Sequence, residues 1–366
     1  MSLKSPRFLY REIGAQSTDA YAVASRLSFG LWDTVPDTEL LQAASKGELA
    51  TREQVTKQAE RMVADPRSWN KLRAFLLFWL KVDDTHDLAK NQKRYAGFDA
   101  VAASDLRTSL ELFLENVVWS EKSDYRELML SNSLYLNGKL AKLYGANLPE
   151  NSGFEPVTLD PKQRAGVLTH PYILSNFAYL DTSSPIHRGV LIARNMLGRT
   201  LAPPPDAFTP LAPDLHPKLT TRQRVAMQTK PDACNSCHSM INPLGFTLER
   251  FDAIGRLREI ENDQKIDTTG SYRARNGQLV KFNDAPDLAR FLANSDEAHS
   301  AFVEKLFHHL VKQPVLAYGG HTLPDLQRGF GGKGYNIRKL MVEIMATTAL
   351  PKQTPSESPK RVGGIQ

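Results

Sequence analysis

Apolar residues recur at helical spacing through most of this chain, and residues that start and stop helices punctuate the pattern at short intervals. Between residues 18 and 32, Tyr21, Ala24, Leu27, Ser28 and Leu31 fall close to one stripe, the pattern of a half-buried helix. Pro36 and Asp37 open a second helix that Gly47 closes, because proline suits a first turn and glycine the residue past a last one. Thr51-Arg-Glu-Gln54 has the form of a capping box. Asp65-Pro66 ends that third helix and starts an apolar one that runs to about Val82. Further helices are predicted at 99–119, 137–144, 161–179 and 185–199, the last with Ser184 as N-cap and Pro185 in its first turn. Residues 1–200 therefore read as a helical bundle.

The pattern stops at Leu201-Ala-Pro-Pro-Pro-Asp206, which with Pro210, Pro213 and Pro217 forms a proline-rich linker over 201–217. Proline lacks the backbone donor a helix needs, so the main domain boundary falls here. A second domain over 218–284 holds a short helix near 221–228, both cysteines and one hairpin. The hairpin is Ser271 to Phe282, alternating around the two-residue turn Asn276-Gly277. Helices at 285–293, 296–312 and 323–349 make a C-terminal helical unit over 285–350. The tail 351–366 has three prolines and almost no large apolar residue, and is expected to be disordered. The fold class is mainly α: an N-terminal helical bundle, then a segment with one small β-hairpin, and a helical C-terminal unit. Gly245, Gly255 and Gly270 are expected at turns with positive φ. Gly329 to Gly334 lacks the Lys-Ser/Thr ending of a phosphate-binding loop and reads as a flexible connection between helices.

Charge narrows the partners. The 46 basic and 40 acidic residues give +6, spread along the chain rather than clustered, which argues against nucleic acid. The most apolar run, Ala74 to Leu80, has seven residues against the roughly 20 of a spanning helix, so no transmembrane segment is read. Two cysteines exclude a disulfide scaffold and a four-cysteine zinc site.

Those two cysteines are three positions apart and a histidine follows at once: Cys234-Asn-Ser-Cys237-His238, the attachment pattern of c-type haem. Two thiols one helical turn apart can each add to a vinyl group of one porphyrin, and the next residue then offers its imidazole to the iron as an axial ligand. Other readings compete. A redox dithiol usually sits beside a parallel βαβ unit, whereas these surroundings are helical. Zinc would have Cys234, Cys237 and His238 but no second cysteine pair, and adjacent Cys and His crowd each other. A disulfide would not require His238, and a five-residue pattern can also arise by chance.

The surroundings carry a resemblance. Pro231-Asp-Ala-Cys-Asn-Ser-Cys-His-Ser-Met-Ile-Asn-Pro-Leu-Gly-Phe246, then Glu249-Arg-Phe-Asp-Ala-Ile-Gly-Arg256, resemble the planctomycete-type cytochrome c family, multidomain bacterial haem-c proteins built from consecutive domains of unknown function. Ser5-Pro-Arg-Phe-Leu-Tyr-Arg11 and Ala24 to Trp32 resemble the opening of that family's helical domain. Ser184-Pro-Ile-His-Arg-Gly189 followed by Pro203 to Pro205 resembles the junction to its haem-motif domain. Ile266 to Gly270, Phe307 to Pro314 and Gly334 to Arg338 resemble later segments, in order, so the resemblance covers most of 5–350. It implies covalent haem c on Cys234 and Cys237, with His238 as proximal iron ligand. It implies electron transfer with a redox partner protein or an upstream haem domain, and a periplasmic or other extracytoplasmic location. The N-terminal residues hold no apolar core of signal-peptide length, so the front of the chain is expected to be missing. Two alternatives remain: a haem-dependent oxidoreductase or peroxidase-like subunit acting on an extracellular substrate, and a non-haem interaction scaffold.

No spacing fixes the sixth iron ligand. On the helix around 299–312, His309 lies at the edge of the apolar face made by Phe302, Val303, Leu306, Phe307 and Leu310, with His308 on the far side. Met341 and Met345 share a stripe with Ile337 and Ile344, as core methionines do. His309 and Met341 are the distal candidates; Met240, two residues past His238, points away. Arg188 and Arg256 suit haem propionates by charge, with a structural bond to backbone as the competing role.

Overall fold

Short polar side chains start the first helices. Asp19 accepts the Tyr21 N–H and opens α1 (Ala20–Trp32). Asp37 accepts from Leu40 to open α2 (Thr38–Ser45), and Thr51 with Gln54 forms the capping box of α3 (Arg52–Ala64). α4 (Arg67–Trp79) follows the Asp65-Pro66 break, and Asp99 caps α5 (Ala100–Trp119). Each side-chain cap contributes about 1 kcal/mol by satisfying a donor that the first turn leaves open. These elements come from a computed structural model, which describes residues 19–84, 88–201 and 216–350. The linker prolines up to Pro213 and the tail 351–366 lie outside those residues.

After α6 (Glu127–Leu130), the chain forms a pair the sequence reading lacks. β1 (Ser133–Leu136) runs antiparallel to β2 (Glu155–Thr158), with α7 (Gly138–Tyr144) between them. Four-residue strands carry too little alternation to stand out from helical surroundings. The predicted helix at 161–179 is shorter: a 3₁₀ turn at Gly166–Thr169, then α8 (Pro171–Asn176). Pro171 supplies no N–H, and His170 before it takes the extended conformation that a residue preceding proline prefers, with its ring capping Tyr172. Next, α9 (Pro185–Leu191), capped by Ser184, runs on into a π-turn at Ile192–Met196.

Beyond the linker come α10 (Thr221–Gln228) and α11 (Asp232–Phe246). Two antiparallel pairs follow: β3 (Ile260–Glu261) with β4 (Gln264–Lys265), then β5 (Gly270–Arg273) with β6 (Leu279–Phe282). The second pair is the expected hairpin, with Gly277 at φ 87° in its turn. α12 (Ala285–Asn294) and α13 (Asp296–Val311) match their predicted spans closely. The helix predicted at 323–349 is two, α14 (Thr322–Gly332) and α15 (Ile337–Thr348). Gly334 and Tyr335, both at positive φ, turn the chain, and Asn336 caps α15. Gly329, Gly331 and Gly332 belong to α14, so the glycine-rich stretch is helix for most of its length. The class is mainly α with small two-stranded sheets.

The centre is aromatic. The Phe302 ring on α13 lies 4.6 Å from Tyr125, 5.3 Å from Trp79, 5.4 Å from Phe75 and 6.1 Å from Phe330, centroid to centroid. The C-terminal helices close on the N-terminal ones. α15 packs chiefly on α3, and the Arg26 guanidinium of α1 donates to the Ala349 carbonyl at 2.9 Å. One apolar cluster among the described residues includes members from Val23 to Ala349.

Candidate cofactor site

α11 has two unlike halves. Residues 231–240 are exposed or half-buried, whereas Ile241, Asn242, Leu244, Gly245 and Phe246 are buried. Cys234, Cys237 and His238 lie on the outer half, and both thiols are free and half-buried. On a helix, residues 234, 237 and 238 share one face, so the two thiols and the imidazole point the same way.

The imidazole is held from behind. His238 Nδ1 lies 2.9 Å from Asn242 Oδ1, one helical turn on. Asn242, only 6% exposed, donates through Nδ2 to Thr229 Oγ1 at 2.7 Å, and that hydroxyl donates to the Val225 carbonyl at 2.8 Å. Nε2 has no hydrogen-bond partner among the described residues. The sequence reading named neither Asn242 nor Thr229. The available signal was the four-residue spacing from His238 to Asn242, which puts them on one face.

Glycines seat α11 on its neighbours. α9 is the element packed most extensively on it. A Cβ on Gly245 would lie 2.7 Å from the Pro185 carbonyl carbon, and one on Gly189 would lie 2.9 Å from the Ile241 carbonyl carbon. On the other side, a Cβ on Gly270 would lie 2.8 Å from Thr247 Cγ2. Gly245 and Gly270 therefore serve close approach of backbones rather than positive φ; of the three glycines expected in turns, Gly255 alone has one, at 79°.

Beneath α11 lies buried charge. Arg188, 1% exposed, donates to four carbonyls: Leu248 at 3.0 Å and Phe251 at 2.9 Å through Nη1, Leu174 at 3.2 Å and Asp252 at 2.9 Å through Nη2. Its guanidinium thus ties the segment after α11 to α8 and α9. Burial pulls its pKa down to about 10 and pushes that of neighbouring Glu249 up, against the pull of Arg258 and Arg188. Arg258 bridges Glu249 at 3.4 Å and Glu261 at 3.2 Å, and Glu261 accepts from the Thr221 hydroxyl at the start of α10. Arg256 pairs with the Asp252 carboxylate at 3.0 Å rather than with backbone.

The distal candidates sit elsewhere. The His309 ring lies 5.5 Å from that of Phe75 on α4, and burial, helped by Lys312 and Lys71, lowers its pKa to about 4. Met341 is 1% exposed on α15, which packs on α3, α13, α14 and α1. The elements packed most extensively on α11 are α9, β5 and the π-turn, and neither candidate lies on one of them. Met240 packs against the core. Among the described residues, no three His, Cys, Asp or Glu side chains group to hold a metal ion.

These features define a mainly helical protein that presents two thiols and one oriented imidazole on an open helix face. Residues 18–146 match the family model PSD4, Protein of unknown function (DUF1592). Residues 164–261, which include the motif, match PSCyt3, Protein of unknown function (DUF1588). Both are domains found in planctomycete cytochrome c-type multidomain proteins. No curated protein and no solved structure matches the chain. No helix among the described residues is long and apolar enough to cross a membrane.

Proposed function

We propose that this chain carries one haem c in thioether linkage to Cys234 and Cys237, with His238 Nε2 as proximal ligand, and acts in electron transfer. One observation carries the reading: both thiols and the imidazole share the less buried half of α11, with Nδ1 already engaged and Nε2 without a hydrogen-bond partner among the described residues. The donor set fits the group, since free thiols can add to vinyl carbons and a neutral imidazole can ligate iron. When bound, the haem supplies a one-electron couple. The chain's own residues do the rest: α9 and β5 hold α11 still, and Asn242 sets the ring.

Haem-c attachment takes place outside the cytoplasm, so the reading places the protein in the periplasm or an equivalent compartment. The partner is a redox protein or an upstream haem domain. His309 and Met341 both lie off the elements packed most extensively on α11, so either would serve as sixth ligand only after those helices rearrange. A low-spin spectrum would indicate that a sixth ligand is supplied, whereas a high-spin spectrum indicates an open position and favours a haem-dependent oxidoreductase.

The test is expression with export and c-type attachment machinery, followed by haem staining of a denaturing gel and a pyridine haemochrome spectrum. The reading predicts covalent haem that is lost in Cys234→Ser/Cys237→Ser. Exported, folded protein without covalent haem refutes it.

A further inference from the structure

The hydrogen bonds behind His238 form a chain with a direction. The Thr229 hydroxyl gives its proton to the Val225 carbonyl, so its oxygen accepts from Asn242 Nδ2. That fixes the amide: Nδ2 faces Thr229 and Oδ1 faces His238 Nδ1 at 2.9 Å. A carboxamide oxygen can only accept, so Nδ1 must carry a proton, and in the neutral ring the lone pair then falls to Nε2. Free histidine side chains favour the opposite tautomer, with the proton on Nε2. The anchor is rigid, because Asn242 and Thr229 are each 6% exposed and Thr229 directly follows α10.

From this geometry we infer that Asn242, anchored by Thr229, is the positioning residue of the axial ligand: it holds His238 in the Nδ1–H tautomer and turns Nε2 outward to the face of Cys234 and Cys237. The consequence for a cofactor rests on the haem reading, but the tautomer does not. A hydrogen bond from Nδ1–H to an acceptor makes the ring a stronger donor at Nε2, stabilises the ferric state and lowers the reduction potential. Asparagine, as a neutral acceptor, polarises the ring less than a carboxylate would.

The first arm needs no haem. The full chain, labelled with ¹⁵N-histidine and kept reduced, is examined by long-range ¹H–¹⁵N correlation at mildly alkaline pH, with His238 assigned by its loss in His238→Gln. The wild type is expected as the Nδ1–H form. Thr229→Val, which removes the anchor at nearly constant volume, and Asn242→Leu should both shift His238 towards Nε2–H. Thr229→Val keeps the test open if Asn242→Leu does not fold. A wild-type Nε2–H form, or a tautomer unchanged in a folded variant, overturns the inference.

The second arm uses haem-loaded protein. The potential should rise in Asn242→Leu and fall in Asn242→Asp, in opposite directions from wild type. Equal potentials in all three overturn the inference even if haem is attached. If no variant and no wild type takes up haem, the proposed function fails, while the tautomer result still decides the role of Asn242.

Discussion

Placing a methyl group on Gly245 tests whether α11 is held by backbone contact with α9. Alanine at a helical glycine ordinarily stabilises by up to about 1 kcal/mol, through lower unfolded-state entropy and better helix propensity. Here the new Cβ would stand 2.7 Å from the Pro185 carbonyl carbon, and the carbonyl oxygen is nearer still. Comfortable carbon contacts lie at about 3.5–4.0 Å, so the two backbones must part by about an ångström, and no flexible side chain can swing aside. Overpacking of a well-packed contact costs about 1–3 kcal/mol, and a clash with main chain belongs at or above the top of that range. The expected net effect of Gly245→Ala is a loss of about 2 kcal/mol or more, with Gly189→Ala behaving alike because its Cβ would press on Ile241. Gly329 in α14 is the control: a Cβ there meets nothing within 4 Å, so Gly329→Ala should be stabilising by about 0.5–1 kcal/mol. The assay is urea denaturation followed by circular dichroism, comparing midpoints at equal slope. A Gly245→Ala protein as stable as wild type would refute the close crossing, as would a Gly329→Ala protein that loses as much as Gly245→Ala.

Acid should destabilise the fold through buried neutral histidines. Burial, helped by Arg164, pulls the pKa of His170 down to about 3, and Ser109 Oγ lies 3.3 Å from its Nε2. The unfolded state then binds more protons below the ordinary histidine value of about 6.5, so the contribution is fully present above that pH. It is lost as pH falls towards 3, at up to about 1.4 kcal/mol per pH unit. In urea titrations between pH 6.5 and 4.5, His170→Asn should show a shallower pH slope than wild type; equal slopes would exclude the residue as a source. Arg188→Met strands four carbonyl oxygens and Glu249, and should cost about 3–5 kcal/mol, read as a lowered denaturation midpoint. A loss under about 1 kcal/mol would mean that the guanidinium is replaceable by water.

Local rules made much of the fold legible. Thr51 with Gln54, Asp65-Pro66, Ser184-Pro185 and Asn276-Gly277 act through neighbours in sequence, and their elements fall where the spacing puts them. What stayed hidden depends on distant residues. The crossing of α9 and α11 needs Gly189 and Gly245 together, and neither alone differs from a turn glycine. β1 pairs with β2 across α7, which no alternation within four residues reveals. The break at Gly334 and Tyr335 is fixed by bonds to the segment between α5 and α6, where Tyr125 N–H donates to the Tyr335 carbonyl and Ile337 N–H to that of Ser123. At the candidate site, the common helix face of Cys234, Cys237 and His238 follows from spacing, whereas Thr229 joins them only because the chain turns between α10 and α11. Arg188 looked suited to a propionate by charge, but its four carbonyl partners come from α8 and the segment after α11.

The mass of the intact, denatured chain after export with the haem-attachment machinery tests the central claim most directly. The account predicts one added haem that resists acid-acetone extraction, vanishes in Cys234→Ser/Cys237→Ser, and maps to the peptide containing Cys234-Asn-Ser-Cys237-His238. A folded, exported chain with the mass of the bare polypeptide would contradict it, as would a haem that extraction removes.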